Sequence, residues 1–214
     1  MTKSTDKLID NLAGKLAPMP ARLLEQQIAA ASAIGAFVVL LLVIGVVGLR
    51  ADLSTATAFG HFWAKLGYTV SIAVIALVAA KQLARPENSK AQLAVIAVPV
   101  GALVVLAALE WFGASASQRN SLLFGVSWRE CPVLIVGLSL PLLGFMLRVF
   151  SGFAPQRPGL TGATVGLAAG AATAALYSLH CPEAAMTFLL IWYSLGIAIV
   201  SALGALIGSR ILRW

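Results

Sequence analysis

Long stretches without a charged side chain divide this sequence, and their lengths decide what the chain can fold into. Ile28–Leu49 is uncharged for 22 residues. Lys65 and Lys81 bracket 15 uncharged residues, Lys90 and Glu110 bracket 19, and Glu130 and Arg148 bracket 17. Arg157 and Glu183 then bracket 25, and Glu183 and Arg210 bracket 26. A helix crossing a hydrocarbon core about 30 Å thick needs roughly 20 apolar residues, with about 17–25 tolerated. Charged residues make up 11% of the chain, against about 25% in a soluble domain, and the mean hydropathy is +0.93. The runs are continuously apolar and do not alternate, which excludes barrel strands. The expectation is an all-α polytopic membrane protein: residues 28–214 form a bundle of six transmembrane helices, preceded by a segment over 1–27.

The second span, from about Phe62 to Ala84, demands that Lys65 and Lys81 lay their stems along the helix while their amines reach the interface. The fourth opens at Cys131-Pro132, and the fifth covers about Gly159–Leu179. Gly162, Gly166 and Gly170, then Gly196, Gly204 and Gly208, line up small residues at helical spacing, as in close packing within a bundle. Counting Lys and Arg by loop orients the chain. With the N-terminus inside, eleven of the fifteen are cytoplasmic, including Lys81, Arg85, Lys90, Arg148, Arg157, Arg210 and Arg213. Both termini are then cytoplasmic. The net charge of +7 follows from this bias, and with no basic stripe on a soluble face, direct nucleic-acid binding is not expected. Seven charged residues in the first 27 exclude a cleavable signal. Trp63, Trp111 and Trp128 fall at the outer interface, where indoles concentrate, whereas Trp192 lies inside the sixth span.

In this topology both cysteines and both histidines, His61 and His180, face the outer side. Cys131 opens the fourth span, and Cys181 lies in the turn between spans five and six. Such cysteines serve as a structural disulfide, a redox switch or metal ligands. There is no CxxC spacing. A sensor built from Cys131, Cys181 and His180, with Glu183 or Glu130 as a harder ligand, competes with the plain disulfide. Each cysteine precedes a proline, which suits the first turn of a helix. A thiol at a helix start has its pKa lowered by the dipole and free N–H groups. No catalytic cluster is visible elsewhere, so an enzyme is not expected. No ionisable group is expected mid-span, which disfavours a pump.

Within 1–27, Leu8, Ile9, Leu12 and Leu16 recur at helical spacing, with Lys7, Asp10, Asn11 and Lys15 on other faces, and Pro18-Met19-Pro20 ends the pattern. A helix of about 13 residues is marginal alone. Its leucine stripe needs either the membrane surface or a groove on a protein partner.

These parts together resemble the NrsF-type six-span membrane anti-sigma factors, which restrain extracytoplasmic-function (ECF) sigma factors in bacteria. The likeness runs over nearly the whole chain. It rests on Leu8-Ile9-Asp10-Asn11-Leu12-Ala13 to Leu16-Ala17-Pro18, the six spans, Trp128-Arg129-Glu130-Cys131-Pro132 and His180-Cys181-Pro182-Glu183. The resemblance implies a bacterial inner-membrane protein whose segment 1–27 sequesters an ECF sigma factor through Leu8, Ile9, Leu12 and Leu16. It implies that Cys131 and Cys181 sense heavy-metal or oxidative stress. No cofactor is required, though a soft metal ion held transiently by Cys131, His180, Cys181 and Glu183 fits the same reading. The alternative is a small transporter or channel for a metal ion or other solute.

Overall fold

The computed structural model describes residues 11, 21–84, 94–153 and 155–213. Among them every regular element is a helix. Leu8, Ile9, Leu12 and Leu16 lie outside the described residues.

Helix α1 (Ala21–Leu42) continues through a π turn, Val43–Val47. A short α2 (Leu53–Ala56) leads to α3 (Gly60–Leu83). Then come α4 (Ala97–Gly113) and α5 (Ala116–Phe124), the latter opened by a capping box between Ser115 and Gln118. Helix α6 (Glu130–Phe150) has proline in its first turn, and α7 (Pro158–Tyr177) begins on one; a proline there gives up no helical hydrogen bond. The last span runs through α8 (Met186–Phe188), a second π turn (Leu189–Tyr193) and α9 (Ser194–Ile211).

Among the described residues, five helical spans are long and apolar enough to cross a bilayer: Glu25–Val47, Gly60–Leu83, Glu130–Phe153, Pro158–Tyr177 and Met186–Ile211. The third of the six expected spans holds α4, which covers 17 of the described residues; residues 85–93, ahead of it, lie outside them. Its direction continues the alternation. Glu110, in the last turn of α4, accepts hydrogen bonds from the N–H (2.8 Å) and hydroxyl (2.9 Å) of Thr187 at the start of α8. The carboxylate thereby supplies an acceptor to a donor that a helix start leaves unpaired.

Helix α7 is the hub, packing against α9, α3, α6 and α1. Its glycine and alanine face brings backbones together. A Cβ added at Gly208 would stand 2.7 Å from the Gly162 Cα, and one at Gly166 2.9 Å from the Ser201 Cα. Gly162, Gly166 and Gly170 with Gly204 and Gly208 are therefore the contact surface between the fifth and sixth expected spans, whereas Gly196 faces Pro132 and Ile135 of α6. Large apolar side chains face outward instead, among them Phe37, Leu41, Val46, Val105, Leu109, Val133 and Leu206. Water does not tolerate an apolar exterior this continuous, and lipid does.

Candidate functional site: a buried thiol pair

At one end of the bundle converge the ends of α1 and α7 and the starts of α3, α6 and α8. Cys131, second residue of α6, and Cys181, just beyond α7, are both fully buried, and their sulfurs lie 3.5 Å apart as free thiols. A disulfide bond is about 2.05 Å, so small movements would close it. The Cys131 sulfur also lies 3.3 Å from the Ser127 hydroxyl and 3.6 Å from that of Tyr177.

Cys131 stands at a helix start as its proline foretells. Cys181 does not. Its N–H bonds the Tyr177 carbonyl (3.1 Å), so it closes the C-terminal turn of α7, and α8 begins only at Met186. The dipole there works against a thiolate, yet the Cys181 thiol is pushed down to about 5. The hydrogen bond from Cys131 is the largest cause, helped by the nearby Lys65 ammonium and by a backbone hydrogen bond from Glu183, all acting against burial.

The turn 178–183 is held from three sides. The Arg50 N–H bonds the Leu179 carbonyl (3.1 Å), and the Arg50 guanidinium reaches the Cys181 carbonyl (3.4 Å) while pairing with Asp52 (2.7 Å). The His180 Nδ1 lies 2.8 Å from the Gly48 carbonyl. From α3, the Lys65 Nζ donates to the carbonyls of Cys181 (3.1 Å) and Glu183 (3.0 Å) and sits 4.6 Å from the centre of the Tyr193 ring. Lys65 is only 2% exposed. The expectation that its amine reaches outward is thus corrected: it turns into the site, because two carbonyls and an aromatic face there replace water.

Glu183 is likewise engaged. Its Oε1 accepts from the N–H groups of Val126 (2.6 Å) and Ser127 (3.2 Å) and from the Ser127 hydroxyl (3.3 Å). Gly125, at φ +50°, leaves room for that carboxylate, which a Cβ there would meet at 2.5 Å. Of the four expected ligands the structure brings the two sulfurs together, while His180 and Glu183 bond elsewhere. Among the described residues no group of three or more His, Cys, Asp or Glu side chains could hold a metal ion. Glu130 and His61 are exposed.

Trp192 finds its role beside the site. Its ring packs against Trp128 (5.1 Å between centres) and Phe124 (6.4 Å), and its Nε1 donates to the Leu123 carbonyl (2.8 Å). It joins the aromatic group at this end of the bundle by virtue of lying in the first turns of its span. Ser127, Tyr177 and Tyr193 were not singled out from sequence. Lys65 was named only as an ionisable residue of the second span, and that place inside an apolar run was the one signal that could have pointed to the site.

This arrangement has known company. The family described as NrsF, negative regulator of sigma F, matches residues 12–214. The chain belongs to this family. An NrsF relative from Azospira oryzae, a probable anti-sigma-F factor, is 37% identical over 98% of this chain and 99% of its own length. The anti-sigma-F factor NrsF of Caulobacter vibrioides is 38% identical over the same shares. No solved structure matches the chain. The span of the NrsF match takes in both cysteine–proline motifs and the whole helical bundle.

Proposed function

We propose that this chain is an integral membrane anti-sigma factor, of the inner membrane, that binds an ECF sigma factor through its N-terminal segment and releases it when the thiol pair is consumed. The relatives' names supply the sigma-factor partner. The observation that carries the sensing half is the 3.5 Å approach of Cys131 to Cys181. Two sulfurs at that distance suit a thiophilic metal ion or oxidation to a disulfide. Either event ties the start of α6 to the end of α7, the hub on which the other long helices pack. A tenfold change in sigma affinity needs only about 1.4 kcal/mol of preference between two arrangements.

The test is co-expression with the partner sigma factor and a sigma-dependent reporter. Cys131→Ser and Cys181→Ser should each abolish induction by soft metal ions or oxidants while repression persists; normal induction in either variant refutes the sensor. Leu12→Asp should relieve repression without stimulus, and intact repression would remove the leucine stripe as the docking surface.

A further inference from the structure

Lys65 is a fully buried cation that the thiol pair alone does not explain. We infer that Lys65 is a positioning residue of the sensor: its ammonium clamps the 181–183 turn against Cys131 and adds its positive charge to the Cys131 hydrogen bond in favouring the Cys181 thiolate. This rests on the reading of the pair as the sensing site.

Three observations converge on it. A buried ammonium is costly unless paired and hydrogen-bonded, and Lys65 meets the carbonyls of Cys181 and Glu183 at 3.1 and 3.0 Å. Two acceptors on residues flanking one proline fix the path of the turn, and so the place of the Cys181 sulfur. The third is the Tyr193 ring, 4.6 Å beneath the nitrogen. It is presented by the π turn Leu189–Tyr193, an irregularity that favours functional sites, and an aromatic face there stabilises a cation. The titratable or charged groups facing Cys181 are Cys131 from α6, Tyr177 from α7, Tyr193 from the π turn, Lys65 from α3 and Arg50 from the loop after α1. Lys65 is the buried cation among them, whereas Arg50 is paired with Asp52.

The pairing links the chemistry to the bundle. With a hydroperoxide as oxidant, the Cys181 thiolate attacks the terminal peroxide oxygen, the O–O bond breaks, and the departing alkoxide takes a proton to leave as alcohol. The Cys131 thiol then attacks the Cys181 sulfenic acid; the S–S bond forms, and the hydroxyl leaves with the thiol proton as water. Two electrons pass from the sulfurs to the peroxide, and one negative charge disappears from the site. Lys65 must then give up the proton that the alkoxide takes, or remain an unpaired buried cation. In both cases its hold on the turn weakens, and α3 carries that change along its packed length on α7.

The experiment is a pH titration of the thiolate ultraviolet absorbance of the full chain in nanodiscs, with Cys181→Ser as the blank. The wild type should titrate below pH 7. Lys65→Gln, which keeps donors for both carbonyls but no charge, should move the midpoint up by at least about one unit, tenfold in thiolate on the rising limb, and Lys65→Arg should recover much of it. An unchanged midpoint in a folded Lys65→Gln protein overturns the inference. If that variant does not fold, a wild-type midpoint near the ordinary thiol value of about 8.5 overturns it equally. No sigma factor enters this assay. Should the Cys→Ser variants still respond to stress while the titration moves as expected, the sensing reading falls and the Lys65 assignment stands.

Discussion

Glu183 shows how one side chain can set the geometry of a site without touching its reactive atoms. Its carboxylate gathers two backbone N–H groups and a hydroxyl from Val126 and Ser127, and Ser127 in turn lies against the Cys131 sulfur. Removing it in Glu183→Ala leaves those donors without their acceptor. For a half-buried group the expected loss is about 1–2 kcal/mol, read as a lower Tm in detergent, with slower oxidative closure of the Cys131–Cys181 bridge. Closure at the wild-type rate would show that the 126–127 loop does not position Cys131. The sequence marks Glu183 as a residue beside a cysteine, and from that position a metal ligand and a loop clamp look alike. Lys65 poses the same difficulty. Its place in an apolar run is plain, but whether its stem runs outward or inward depends on carbonyls 116 and 118 residues away, which no local pattern encodes. Cys181 differs again: the proline that follows it suggests a helix start, and only the length of the turn before Met186 shows that the residue ends a helix.

At the scale of elements, charge spacing was the strong signal, since an uncharged run of bilayer length has few other uses. Among the described residues, five of the six expected spans emerge as long helices. The two π turns, Val43–Val47 and Leu189–Tyr193, were not legible in the spacing of charges or of small residues. Spacing of the small residues did reveal the α7–α9 contact. Backbones there lie so close that Gly204, if given a Cβ, would press on the backbone of Gly162 and Gly166. Backbone cannot yield as a flexible side chain does. Gly162→Leu or Gly204→Val should therefore destabilise the bundle by about 1–3 kcal/mol or more, measured as loss of folded protein on detergent titration. The same change at Gly137, which has open space around it, should be nearly neutral. If Gly204→Val proved as stable as the wild type, α7 and α9 could not be packed as described.

Over the whole molecule, the parity of crossings decides whether the two halves of the proposed device can communicate from opposite sides of the membrane. Five crossings would place the termini in different compartments; six return them to the same one. Geometry argues for α4 as a crossing, because the Glu110–Thr187 bonds bring the C-terminal end of α4 to the end of the bundle where α1 and α7 also finish. In the proposed orientation, which follows the lysine and arginine bias, both termini are cytoplasmic and the thiol pair faces outward. A fluorescent protein that matures only in the cytoplasm should fluoresce when fused at either end, and a periplasm-dependent phosphatase inserted after Ser115 should be active. Fluorescence at the N-terminus with none at the C-terminus would reduce the bundle to five crossings. Fluorescence at neither terminus, with the phosphatase silent after Ser115, would place the end that holds the thiols inside the cell, and the sensor would then report on cytoplasmic metals and oxidants.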